Sequence, residues 1–128
     1  MMINLISVAV GGAFGALLRY AIGLWMAQST FGVPYFIATL SVNVIGCAMM
    51  GVMAALLPLM PVLQGAPRAF IMVGFLGALT TFSSFALDSF HLIEKQQYGV
   101  MGAYLFASIA LSLGAFFLFH HLTKWGLS

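Results

Sequence analysis

Charged side chains are missing from four long stretches of this chain. Met1 to Leu18 has none, and neither have Tyr20 to Pro67, Ala69 to Leu87 or Gln96 to Thr123. A helix that crosses the hydrocarbon core of a bilayer needs about 20 mostly apolar residues. The first, third and fourth stretches each hold one such span; the second holds the end of one span and the whole of another. Its break is Gln28-Ser29-Thr30-Phe31-Gly32-Val33-Pro34, where polar residues, Gly and Pro mark a loop. The expected spans are 3–26, 35–57, 68–92 and 99–122. Pro58 to Pro67, with three prolines, and Ile93 to Tyr98, with Glu94 and Lys95, are the other loops. The fold class expected is an all-α membrane protein, a single transmembrane domain over 1–128 with four helices per subunit and no soluble domain or long tail.

Composition agrees. Only 5% of residues are charged, against roughly 25% in a water-soluble domain, so lipid must be the solvent. Net charge is +2, and the basic residues are scattered without forming a patch, which excludes nucleic acid as a partner. A signal peptide is not expected, because no basic region precedes the first apolar segment and Arg19 comes late in it. Cys47 is the single cysteine. It cannot form an intrachain disulfide and is read as a small packing residue.

Orientation normally follows an excess of Lys and Arg on the cytoplasmic side. Here Arg68 and Lys124 would lie on one face of the membrane and Arg19 and Lys95 on the other. The balance predicts insertion in both senses, and so an antiparallel, dual-topology homodimer; the alternative is one orientation fixed by other means. Four helices leave little room for an internal pathway, and a two-fold oligomer is the commonest way to build one. Gly11 and Gly15 form a small-xxx-small pair that favours close helix contact.

Polar groups in hydrocarbon are costly and usually face a bundle interior or a cavity. The second span carries Asn43, with Thr39 one turn earlier. Its carboxamide either lines a path or makes a bond between helices. Near the middle of the third span, Gly74 and Gly77 precede Thr80, Thr81, Ser83 and Ser84. Gly and Thr are weaker helix formers than Leu or Ala, and Ser and Thr compete for local backbone groups. We read a helix interrupted near 77–80, at the bilayer midplane, where freed carbonyls must be buried in protein or bound to something. The alternative is a continuous helix whose hydroxyls bond back to carbonyls one turn earlier. In the fourth span Tyr104, Ser108 and Ser112 follow one another at i, i+4 and i+8 along one face. They form a polar track or serve as glue between helices.

No acidic residue stands mid-membrane, which argues against a proton-coupled pump. His91, His120 and His121 fall near interfaces without a metal-ligand set. No nucleophile-and-base pair appears, so the chain is not expected to be an enzyme. The candidate lining of amide, hydroxyls and aromatic rings has donors but no carboxylate ring, which suits an anion. Phe82 and Phe85 share a face, and the edge of a phenyl ring is the positive part of its quadrupole. Residue chemistry alone reaches a narrow anion path and does not name the anion.

Gly11-Gly12-Ala13-Phe14-Gly15-Ala16-Leu17-Leu18-Arg19-Tyr20 resembles the first-helix GGxxGxxxR[WY] motif of the Fluc (CrcB) fluoride channels. Ser41-Val42-Asn43-Val44-Ile45-Gly46 resembles their second-helix VNxxG motif. Gly74-Phe75-Leu76-Gly77-Ala78-Leu79-Thr80-Thr81-Phe82-Ser83-Ser84-Phe85 is similar to their GxxGGLTTFSTF signature. Length, span count and motif order agree over the whole chain. The resemblance implies passive fluoride export across the bacterial inner membrane, relieving fluoride toxicity, by two oppositely inserted copies with two symmetry-related pores. It implies that Asn43, Phe82, Phe85, Tyr104, Ser108 and Ser112 line the fluoride path. Arg19 and Asp88 would stand in a vestibule. The carbonyls of Gly77 and Thr80 from both copies would hold a structural sodium ion (Na+) at the dimer centre. Three positions depart from the pattern: Ala78 replaces Gly, Ser84 replaces Thr and Asp88 replaces Glu. The first would strain the break if the position needs a positive φ. The rivals are a small dual-topology multidrug-type exporter, which needs a membrane-embedded Glu the first span lacks, and one half of a heterodimeric channel.

Overall fold

In a computed structural model the described residues are 1–28 and 32–128. Ser29, Thr30 and Phe31 of the first expected loop lie outside them. The described residues form helices and turns with no strand among them. Four helical runs are long and apolar enough to cross a membrane: Met2–Ala27, Tyr35–Leu59, Ala66–Glu94 and Tyr98–Gly126.

The first run is one helix, α1 (Met2–Ala27). The second is α2 (Tyr35–Leu56), entered from Pro34, whose fixed φ suits a helix start and whose missing N–H costs nothing there. It closes in a 3-10 turn over Leu57–Leu59, and a second such turn covers Pro61–Leu63. Gln64 Nε2 donates to the Leu57 carbonyl at 2.7 Å, and Gly65 takes a φ of 73° to turn the chain back.

The third run is composite. A helical turn, α3 (Ala66–Arg68), leads into π-helical backbone over Ala69–Leu76 and a further turn, α4 (Gly77–Leu79). Thr80 (φ −79°, ψ 153°) and Thr81 (φ −153°, ψ 122°) then take extended dihedrals. Helical backbone resumes as α5 (Phe82–Glu94), and the fourth run is a single helix, α6 (Tyr98–Gly126).

Two seams hold these elements together. The α1 helix packs mainly on the π-helical segment, and it does so backbone to backbone. A Cβ on Gly11 would run into the Phe70 carbonyl, one on Gly15 into the Phe75 carbonyl, and one on Gly74 into the Val8 carbonyl. The small-xxx-small pair of the first span is therefore spent within the chain. The other seam joins α2 to α6. Phe36 meets Tyr104, Cys47 meets Ser112, and Gly51 meets Phe116 and His120. Residue numbers rise together along it, so the two helices run parallel, as alternate members of an up-down bundle must.

Val42, Leu76 and Leu79 form one buried cluster; Phe85, Leu92 and Tyr104 form another. Large apolar side chains such as Leu17, Trp25 and Phe106 point outward, which fits a lipid surround.

Candidate functional site

The site is organised around Thr81, whose backbone dihedrals are extended. Asn43 on α2 reaches the backbone of Thr81 with both ends of its carboxamide. Its Nδ2 donates to the Thr81 carbonyl at 3.0 Å, and its Oδ1 accepts from the Thr81 N–H at 2.7 Å. One amide hydrogen of the two remains for another acceptor. The Thr81 side chain does a second job. Its Oγ1 accepts from the Ser84 N–H at 3.1 Å, capping α5. The same hydroxyl donates to Ser84 Oγ at 3.1 Å.

These bonds free two carbonyls. In a continuous helix the Gly77 and Thr80 carbonyls would accept from the N–H groups of Thr81 and Ser84. Both donors are turned elsewhere, and among the described residues no donor is recorded on either oxygen. The two carbonyls expected to hold sodium are thus open to an outside ligand, and neutral oxygen atoms suit a hard cation. No three His, Cys, Asp or Glu converge among the described residues. Thr80 also bonds back to the Leu76 carbonyl through its hydroxyl, at 3.0 Å.

Arg19 lies against the same place. Its Nε donates to the Ala78 carbonyl at 3.1 Å, and Nη1 reaches Ser84 Oγ at 3.4 Å. A cation at the carbonyl end of a helix offsets its unpaired oxygens. Arg19 therefore holds the backbone around 78–84 as well as facing the cleft beside it. That cleft, of about 570 Å³, is lined by Arg19, Thr39, Thr81, Ser84 and Asp88 among others. Asp88 is buried, 8% exposed. Its Oδ2 accepts from the Tyr104 hydroxyl at 3.2 Å, and its carbonyl from the Tyr35 hydroxyl at 3.5 Å.

A second groove, of about 480 Å³, shares Thr81 with the first. Asn43, Phe82, Phe85, Ser108 and Ser112 line it, with Gly77, Thr80 and Cys47. The structure so brings together five of the six residues expected along the path. Tyr104, the sixth, is buried behind Phe85, ring centroids 5.2 Å apart, and is not part of that wall. Phe82 and Phe85 lie 5.3 Å apart, centroid to centroid, and Phe82 is 80% exposed. Ser108 is 7% exposed, and its buried Oγ lies toward the Tyr104 hydroxyl.

Two residues carry more here than their sequence suggested. Thr81 is one of four nearby hydroxyls, yet it alone lines both cavities and joins α2 to α5. The signal for it was its position just before a helical run, where Thr is a preferred cap. Cys47, read as packing, is in the wall of the second groove; its spacing four residues after Asn43 was the signal. Ala78 needs no positive φ, because Gln96 is the only non-glycine described residue with one. The replacement of Gly at 78 therefore strains nothing.

The chain matches known proteins over most of its length. The family model described as CrcB-like protein, Camphor Resistance (CrcB), matches residues 6–119. The chain is similar to a protein of Rhodospirillum centenum named fluoride-specific ion channel FluC, 46% identical over 88% of this chain and 89% of the other. It is similar to proteins of the same name from Pseudomonas fluorescens, 41% identical over 94% and 96%, and Rhizobium etli, 42% identical over 91% and 92%.

Proposed function

The chain belongs to the CrcB family, and from that premise we propose that it is a fluoride-selective ion channel through which fluoride leaves the cell passively, relieving fluoride toxicity. It is a multi-pass membrane protein and not an enzyme. One observation carries the anion path: a single groove is walled by Asn43, Ser108, Ser112 and the rings of Phe82 and Phe85. The positive edges of phenyl rings add attraction without a full charge. Fluoride is small and strongly hydrated, so the wall must replace its water with donors. The Ser112 hydroxyl and the remaining Asn43 amide hydrogen continue the series, while Tyr104 positions Phe85 and Asp88. Arg19 and Asp88 belong to the vestibule, where the guanidinium draws anions in.

The finer parts of the proposal are a homodimer of two oppositely inserted copies in the bacterial inner membrane, and a third helix interrupted at Thr80 and Thr81. The extended dihedrals at those residues support the interruption. The balance of Arg19 and Lys95 against Arg68 and Lys124 supports dual topology. An open groove with an outward-facing Phe82 supports a second copy as its missing wall. Sodium, bound by the carbonyls of Gly77 and Thr80 from both copies, would supply a fixed positive charge that ties the two interruptions together. The two freed oxygens support that assignment.

The test is efflux from liposomes loaded with fluoride, followed by an electrode, with chloride in parallel. Rapid fluoride efflux with negligible chloride efflux is expected from the purified, sodium-supplied protein. No fluoride efflux from a folded dimer would end the homodimeric reading and direct the search to a partner subunit.

A further inference from the structure

Among the described residues, two formal charges line the cleft beside Arg19: Arg19 itself and Asp88. They are opposite in sign, so together they offer an approaching anion little net attraction. A third charge stands at the rim. Lys95 Nζ lies over the face of Tyr35, 4.9 Å from the ring centroid, and Tyr35 is part of the cleft wall. The Tyr35 hydroxyl donates to the Asp88 carbonyl at 3.5 Å. The rings of Phe36 and His91 meet Tyr35 edge-on, at 5.6 and 6.0 Å between centroids. The ring under the ammonium is thus held from three sides.

The backbone under Lys95 is held as well. It ends α5 in a Schellman turn, in which the Gln97 N–H donates to the Leu92 carbonyl and the Gln96 N–H to the Ile93 carbonyl, both at 2.9 Å. Gln96 takes the left-handed position at φ 56°, and α6 starts at Tyr98, which leaves the turn no slack. A lysine that served only this helix end would lie on its last carbonyls; this one lies on a ring of the cleft wall. Glu94 precedes it, but adjacent residues on a helix do not face each other.

We propose that Lys95 is a second anion-attracting residue of the vestibule, tethered over Tyr35 at the mouth, where it gathers fluoride from solution and hands it on to Arg19. Arg19 is committed to the Ala78 carbonyl and Ser84 and balanced by Asp88, whereas Lys95 is exposed and supplies the surplus positive charge. A charge at a cleft mouth raises the local concentration of the opposite ion and its rate of entry. The inference rests on the channel reading and adds a residue to it.

The test is the single-channel fluoride current of the full dimer in planar bilayers. It is measured in about 0.01 M potassium fluoride, where the Debye length is about 30 Å, and again with about 1 M potassium gluconate added, where it is about 3 Å. At low ionic strength Lys95→Gln should carry about half the unmutated current and Lys95→Glu about a fifth, as rim charges act on entry rates. Lys95→Arg should carry the full current. Tyr35→Leu, which keeps the charge and removes its platform, should fall most of the way to Lys95→Gln. In gluconate all variants should converge. Equal currents from Lys95→Gln and the unmutated protein at low ionic strength overturn the proposal, and so does a deficit that persists in gluconate, which marks a structural role. A gain in Glu94→Gln as large as the loss in Lys95→Gln also overturns it, since the turn would then act by its net charge alone. An undiminished current in Tyr35→Leu overturns the tether. A folded, unmutated dimer with no fluoride current overturns the channel reading, and this inference with it.

Discussion

Before Thr80 the third span comes closest to α1 where backbone meets backbone, and after Thr81 it meets α2 and α6 through side chains. The π-helical segment meets α1 where Gly11, Gly15 and Gly74 have no side chain to keep the two apart. The α5 helix meets α2 and α6 through Asn43, Phe85, Tyr104 and Asp88. Close backbone packing is what a membrane interface offers in the absence of a hydrophobic drive between helices. It tolerates no added atoms and does no chemistry. The polar half is looser, and its groups each have an alternative role. On the proposed reading the span divides into an anchor and an instrument, on either side of the extended residues Thr80 and Thr81.

The largest test of this contrast falls on the anchor. Gly15→Ala pushes a methyl into a backbone carbonyl that has no rotamer to yield, while Gly12→Ala meets nothing within 4 Å. We expect the first to lower stability by about 2–3 kcal/mol, as overpacking does, and the second to stay within about 0.5 kcal/mol. Thermal unfolding followed by size-exclusion retention reads both. Equal effects would mean that α1 does not pack as described.

Next comes the instrument. Asn43→Leu removes both bonds to the Thr81 backbone and should cost about 2 kcal/mol, since unpaired backbone groups carry a penalty of roughly 1–3 kcal/mol each where water is scarce. Fluoride efflux should fall further than the loss of folded protein explains. A proportionate fall would reduce Asn43 to a structural bond.

The smallest effect is expected from the cap. Thr81→Val should destabilise by about 1 kcal/mol, the usual cost of losing an N-cap oxygen, and Thr81→Ser should restore most of it. Recovery of efflux along with stability would mark the hydroxyl as a cap; recovery of stability alone would mark the threonine methyl as part of the path wall.

Spacing of charges was enough to read four membrane-capable helices, because a charge in hydrocarbon is excluded strongly whatever the fold. Asn43 and the hydroxyl run were also visible, since a polar residue in an apolar helix has few uses. The π-helical backbone of Ala69–Leu76 was not legible. A stretch that is apolar on every side has no periodicity by which one helix type differs from another. Nor could the sequence separate Thr81 from Thr80, Ser83 and Ser84; that needed the register of α2 against the third span. Tyr104 shares the i, i+4 spacing of Ser108 and Ser112, yet it turns inward to Asp88. A spacing of four drifts around a helix by about 40° each step, enough to carry one end of a stripe out of a groove.

Thr81 belongs to the walls of both cavities. For an ion that crosses them one after the other, the two cavities behave as resistances in series with Thr81 at the node between them. Widening either chamber then changes the total little, because the narrowest element sets the current. On the proposed reading the charge on Arg19 would act on the supply to the circuit, and the groove on its selectivity. On the proposed path, throughput would then depend on how the Asn43 amide holds Thr81 in place.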